Sequence, residues 1–200
     1  MVARSKFYNI NFIKMDNKLG KVVRGKAVFW DRDGVLNHVE EHRADGKKFV
    51  SPQKFENFKL IPDVAGVLDY VKAKGYLNII ATKQPDIARS KMSWEELNKM
   101  HDFLKANVPS IDAIYICPHD DKDNCNCRKP KPGLLLDAAK DYHLNLSQCF
   151  MVGDSQNDID AGKNAGSVKT ILIAAPYNKG VVNFDFKVNS SKEIKKIISL

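Results

Sequence analysis

Lys26-Ala27-Val28-Phe29-Trp30-Asp31-Arg32-Asp33-Gly34-Val35-Leu36-Asn37 decides the fold. The apolar residues from Ala27 to Trp30 suit a short buried strand. Two aspartates flanking Arg32 follow at once, and then Gly34, a turn former. That order sets carboxylates at the carboxyl end of a strand, where open α/β sheets hold their ligands. One carboxylate of such a pair can attack phosphorus while the other handles a proton, with a hard cation such as Mg²⁺ holding phosphate oxygens between them. The same residues also suit an ordinary acidic turn, since Asp and Gly favour turns. The remainder of the chain decides between the two.

Downstream, apolar segments alternate with helical patterns. Pro62 stands at a helix start, Val64, Val67, Leu68 and Val71 recur at helical spacing, and Gly75 ends the pattern. Residues 77–81 read as a buried strand that delivers Thr82, Lys83 and Gln84 to a sheet edge. Ser93 is expected to cap the next helix, with Glu96 completing a capping box. Further strands are expected at 111–117, 149–152 and 168–174, and helices at 134–142, 159–165 and 191–198. Strands alternating with helices predict an α/β fold built on a doubly wound parallel sheet. Upstream, residues 1–25 form a peripheral N-terminal extension, in which Phe7 to Phe12 alternates weakly and suits a strand or hairpin. Residues 38–52 read as a polar loop over the carboxyl end of the first strand, a natural place for substrate-selecting contacts. No insertion is long enough for a separate cap, so the expectation is one domain over residues 1–200.

Lys and Arg outnumber Asp and Glu by 32 to 24, a net charge of +8 that favours anionic partners. No arginine cluster or aromatic-interleaved basic stripe appears, so a lysine-rich surface accounts for the charge and nucleic acid is not expected as a partner. No apolar run is long enough for a membrane span and the N-terminus lacks a signal-peptide core, so a cytoplasmic protein is expected. A monomer is the separate expectation for its assembly. Cys117, His119, Cys125 and Cys127 crowd into the 117–127 loop. Three thiols and an imidazole leave no open position and describe a structural, tetrahedral Zn²⁺ site. Residues 120–124 are polar and have no core of their own, so metal would order them. Cys149, on an apolar strand, reads as core.

Asp31-Arg32-Asp33-Gly34-Val35-Leu36-Asn37 after an apolar strand resembles the first motif of the haloacid dehalogenase superfamily of phosphohydrolases. The resemblance implies that Asp31 is the nucleophile and first Mg²⁺ ligand. Asp33 is then the general acid and base, offering its backbone carbonyl to the metal. Thr82 matches the second motif, where a hydroxyl holds the phosphoryl group, and Lys129 matches the third, a lysine that pairs with the phosphate and the nucleophile. Asp154, in Gly153-Asp154-Ser155-Gln156-Asn157-Asp158, matches the fourth and completes the Mg²⁺ ligands, with Asp158 supporting them. Substrate contacts are expected from Lys83, Gln84 and Arg128, the last offering a planar fork for phosphate. The run Thr82 to Arg89 is similar to a Thr-Asn-Gln-Ser-Gly-Ile-Ala-Arg run of one subfamily, from which Lys83, Pro85 and Asp86 depart.

The Cys-X-His and Cys-X-Cys pairs just before Arg128-Lys129-Pro130 resemble the zinc-bearing, capless branch of that superfamily, which includes heptose-bisphosphate and histidinol-phosphate phosphatases. The implied activity is a Mg²⁺-dependent phosphomonoesterase that forms an aspartyl-phosphate on a small phosphorylated substrate. A heptose bisphosphate is the expected substrate, with histidinol phosphate as the alternative. A polynucleotide 3′-phosphate is a third reading, favoured only by the net charge.

Overall fold

The strand ending at Asp31 lies in the middle of a six-stranded sheet. The structure, a computed structural model, describes residues 25–41, 49–166 and 168–199. The expected strand or hairpin at 7–12 falls outside the described residues, as does the 42–48 part of the polar loop. The sheet comprises β1 (Ala27–Trp30), β4 (Leu77–Lys83), β5 (Ile111–Cys117), β6 (Phe150–Gly153), β7 (Lys169–Ile173) and β8 (Phe186–Val188). Its order is β5-β4-β1-β6-β7-β8, and every neighbouring pair is parallel. The chain runs outward from β1 through β4 to β5, then returns to the other side of β1 at β6 and runs outward again. That reversal opens a crevice at the carboxyl ends of β1, β4 and β6.

Both faces of the sheet are covered, which explains why the strands read as nearly unbroken apolar runs. Val28 and Trp30 point to a core shared with Val67, Leu68 and Val71 of α1 (Val64–Ala73) and Leu97, Met100 and Leu104 of α2 (Trp94–Asn107). Ile194 and Ile197 of α5 (Ile194–Ile198) join that side. Ala27, Phe29 and Met151 point the other way, toward Leu134, Leu135 and Ala138 of α3 (Gly133–Asp141). On that side α4 (Gln156–Asn164) packs on β6 and β7, where a Cβ on Gly162 would stand 2.7 Å from Thr170 Cγ2. Asn78, fully buried in β4, accepts from Trp30 Nε1 and donates to the carbonyls of Leu68 and Ser110, so its amide leaves no polar group stranded.

Several local expectations shift. α4 begins at Gln156, three residues before the apolar pattern starts, because Ser155 and Asp158 form a capping box there. Ser93 Oγ caps α2 by accepting from Glu96 N at 3.2 Å, but the Glu96 carboxylate takes the Phe55 N–H at 2.6 Å, so the expected reciprocal box does not close. The terminal helix divides into a 3₁₀ turn (Ser191–Glu193) and α5. The polar loop forms a small antiparallel pair, β2 (Glu40–Glu41) with β3 (Phe49–Val50), and β8 adds an edge strand that the pattern does not announce.

Candidate active site

Asp31 directly follows β1, Asp154 directly follows β6, Thr82 lies near the end of β4, and Lys129 precedes α3. Two glycines let these segments close on one another. Gly34 has φ +84°, and a Cβ there would lie 1.9 Å from Asp154 Oδ2 and 2.5 Å from the Tyr177 hydroxyl. A Cβ on Gly153 would lie 2.1 Å from Asp158 Cβ. Any larger residue would push the first motif off the fourth, or Asp158 off the strand end.

Lys129 is the hub. Its ammonium donates to Asp31 Oδ1 at 2.7 Å and to the Ala81 carbonyl at 2.8 Å, and forms an ion pair with Asp158 Oδ1 at 2.5 Å. Burial works to lower its pKa, but the Asp158 and Asp31 charges outweigh that and raise it, so the side chain stays cationic. Asp158 is fully buried and also accepts from Ser155 N and Oγ.

One ammonium does not balance this many carboxylates. Burial first, then Asp158, pushes Asp31 up to about 6 against the pull of Lys129. Burial first, then Asp31 and Asp158, pushes Asp154 up to about 8. One oxygen from each of Asp31, Asp154 and Asp158 lies within 4.8 Å of the others. A buried group of hard oxygen donors short of positive charge is what a divalent cation such as Mg²⁺ suits.

Asp33 is held from several sides. Arg32 grips it through Nε and Nη2 at 2.8 to 3.1 Å, Asn37 Nδ2 donates at 2.9 Å, and Gln84 Nε2 donates at 2.9 Å. Gln84 also donates to Thr82 Oγ1 at 2.9 Å, tying the second motif to the first. Arg32 is fully buried, and its far end meets His101 Nε2 of α2 at 3.1 Å. Burial, then the Arg32 charge, holds His101 well below its ordinary pKa, so it is a neutral partner for the guanidinium.

A cavity of about 340 Å³ opens over these groups, lined by Asp31, Asp33, Lys83, Asp154 and Tyr177 among others. Val39, Phe49, Val50 and Ser51 also line it, so the β2–β3 pair and its flanks border the cavity. Phe49 packs on Tyr177 with ring centroids 4.6 Å apart, and Tyr177 donates its hydroxyl to Asp154 Oδ2 at 2.5 Å. Asn178 donates to the backbone carbonyls of Asp154 and Ile173, both at 2.8 Å. Sequence reading missed Tyr177 and Asn178, and their position just past the expected 168–174 strand was the available signal.

The expected substrate contacts separate. Lys83 lines the cavity, whereas Gln84 is 2% exposed and spends its amide hydrogens on Asp33 and Thr82. Arg128 is not among the lining residues. Its guanidinium is held by Asp121 at 2.6 and 2.9 Å and by the His119 carbonyl at 3.1 Å, within the cysteine loop.

The four cysteine-loop groups do converge. Cys117 and Cys125 sulfurs are 3.6 Å apart, Cys125 and Cys127 3.4 Å, and His119 Nδ1 lies 3.3 Å from Cys127 and 3.8 Å from Cys117. Tetrahedral zinc with ordinary bond lengths requires edges of roughly 3.5 to 3.8 Å. The sulfurs are too far apart for disulfides, and all four cysteines are free. Hydrogen bonding from Cys127, then from His119, pulls the Cys117 thiol down to about 5 against the effect of burial, toward the thiolate a metal needs. Cys149 is buried beneath the sheet and accepts the Ala27 N–H, apart from this group.

Comparison with known proteins gives the same fold and family. The structure of a D,D-heptose 1,7-bisphosphate phosphatase from B. bronchiseptica, complexed with magnesium and phosphate, superposes with a TM-score of 0.74 at 24% identity, covering 88% of this chain and 98% of that one. In sequence, a D-glycero-beta-D-manno-heptose-1,7-bisphosphate 7-phosphatase of Helicobacter pylori is 34% identical over 74% of this chain and 83% of its own. A D-glycero-alpha-D-manno-heptose-1,7-bisphosphate 7-phosphatase of Campylobacter jejuni is 34% identical over 88% of this chain and 96% of its own. A haloacid dehalogenase-like hydrolase profile matches residues 21–166, and the chain belongs to that family.

Proposed function

We propose that this protein is a Mg²⁺-dependent phosphomonoesterase acting on D-glycero-D-manno-heptose 1,7-bisphosphate at C7. The observation that carries this reading is the meeting of Asp31, Lys129, Asp154 and Asp158 at the ends of β1 and β6, beside a cavity large enough for a sugar phosphate. Relatives named for that reaction, at about a third identity over most of both chains, support the substrate. Relatives of both anomeric preferences match comparably, so the proposal names no anomer.

In the proposed reaction Asp31 attacks phosphorus, forming an acyl-phosphate bond as the ester P–O bond breaks. Asp33 delivers a proton to the departing sugar oxygen, then takes one from the water that attacks the aspartyl-phosphate, and Asp31 is released with inorganic phosphate. Lys129 meets charge on the equatorial oxygens and holds Asp31 in line, while the Arg32, Asn37 and Gln84 contacts fix the direction of Asp33. Thr82, anchored by Gln84, offers its hydroxyl to the phosphoryl group. Asp31, Asp154 and the Asp33 carbonyl would hold Mg²⁺, which neutralises phosphate charge when bound. Cys117, His119, Cys125 and Cys127 would hold a structural Zn²⁺ that orders the segment leading into Lys129. No described helix is long and apolar enough to cross a membrane.

The test is phosphate release from heptose 1,7-bisphosphate, histidinol phosphate and a 3′-phosphorylated oligonucleotide, with and without Mg²⁺. The heptose ester should be turned over fastest, only with metal, and Asp31→Asn should fold yet release nothing. Faster release from histidinol phosphate would reassign the substrate. Normal turnover by Asp31→Asn would remove the nucleophile.

A further inference from the structure

Most cations near Asp31 already have partners. Lys129 donates to Asp31 and the Ala81 carbonyl and pairs with Asp158. Arg32 is spent on Asp33 and His101, Arg128 on Asp121 and the His119 carbonyl, and Arg89 on Asp120 with Asp86 nearby. Lys83 differs. It is half-buried in the cavity wall, and among the described residues no hydrogen bond or ion pair engages its ammonium.

Its placement points to the part of the substrate that leaves. Lys83 ends β4 opposite Cys117 of β5, so it stands on one side of Asp31 while Asp154 and Tyr177 stand on the β6 side. Lys129, at 1% exposure, already lies at the base of the site, whereas Lys83 is partly open to solvent at the wall. Burial, then the neighbouring Lys129 charge, depresses the Lys83 ammonium, a cost that an arriving anion offsets. The remaining wall, with Val39, Phe49, Val50 and Val181, suits the carbon skeleton of a sugar and supplies no other lysine or arginine among the described lining residues.

We propose that Lys83 recognises the phosphate that is not hydrolysed and makes this chain select a sugar bisphosphate over the corresponding monophosphate. The inference rests on the proposed phosphatase activity and names the group that reads the second anionic end. A charge-assisted contact of this kind is worth about tenfold to a hundredfold in affinity.

Heptose 1,7-bisphosphate and heptose 7-phosphate share the scissile ester and differ only in the second phosphate, so their kcat/KM ratio isolates its recognition. In wild type the ratio should favour the bisphosphate. In Lys83→Asn it should fall by about tenfold to a hundredfold, mainly through KM for the bisphosphate, and Lys83→Arg should retain most of it. Thermal unfolding of each variant checks that the fold is intact. A ratio unchanged in Lys83→Asn, or an equal loss on both esters, overturns the proposal while leaving the phosphatase reading in place. Failure of the wild type on both heptose esters removes the heptose substrate and this inference with it.

Discussion

Replacing Lys129 by methionine strands two carboxylates in the protein interior. The Asp158 side chain is fully buried and the Asp31 side chain is 14% exposed, and both contact the same ammonium, at 2.5 and 2.7 Å. At an effective dielectric of about 20, each contact is worth roughly 6 kcal/mol before desolvation is counted. Desolvation of the three groups cancels much of this, and removing one partner of a buried pair costs about 3 to 5 kcal/mol net. With a urea slope of about 2 kcal/mol per M, the unfolding midpoint of Lys129→Met should drop by about 1.5 to 2.5 M. The measurement is urea unfolding followed by circular dichroism at pH 7.5 without added Mg²⁺, whose charge would offset the loss. Adding Asp158→Asn removes the stranded charge, so the double variant should be more stable than the sum of the single effects by about 1 kcal/mol or more. The sign with pH follows from linkage. Carboxylates whose folded pKa lies above the unfolded value give the folded state extra protons at low pH, so the deficit should shrink as pH falls toward 5.5. A wild-type midpoint for Lys129→Met at pH 7.5, or strict additivity in the cycle, would refute the reasoning.

Two further outcomes follow from the groups proposed to hold metal. Because Asp31 is pushed up to about 6 and Asp154 up to about 8, Mg²⁺ must displace protons to bind, and its affinity should climb from pH 6 to above pH 8 with proton release detectable by calorimetry in buffers of different ionisation heat. An affinity flat across that window would contradict it. Purified protein should carry about one equivalent of zinc, and Cys125→Ser with Cys127→Ser should lose it, lower the melting temperature and reduce turnover. Metal-free protein of equal stability, purified without chelator, would speak against the site.

Much of the sheet was legible because its strands are buried on both faces. Ala27 to Trp30 and residues 111–117 carry little but apolar side chains, and each strand feeds a polar residue to the same edge. Asp31, Thr82, Lys129 and Asp154 therefore stood out by following strands or preceding helices. Local chemistry set by distant partners was not legible. Glu96 has the spacing of a capping box, but Phe55, forty-one residues away, supplies a better donor. Gln84 and Arg128 have the chemistry of substrate contacts, yet Asp33 with Thr82, and Asp121 with His119, claim them first. Tyr177 gives no periodic signal at all, since its role depends on Gly34 leaving room beside Asp154. β8 is three residues long with a lysine in the middle, so only its neighbour β7 makes it a strand.

The central place of β1 bears on how the protein matures on the ribosome. Asp31 emerges early, but its strand needs β4 on one side and β6 on the other, and its companion Asp154 lies more than a hundred residues later. Such long-range parallel pairing forms late in folding. A nascent chain halted before β6 leaves Asp31 at the end of a strand with an unfinished edge, without Asp154 or Asp158 beside it.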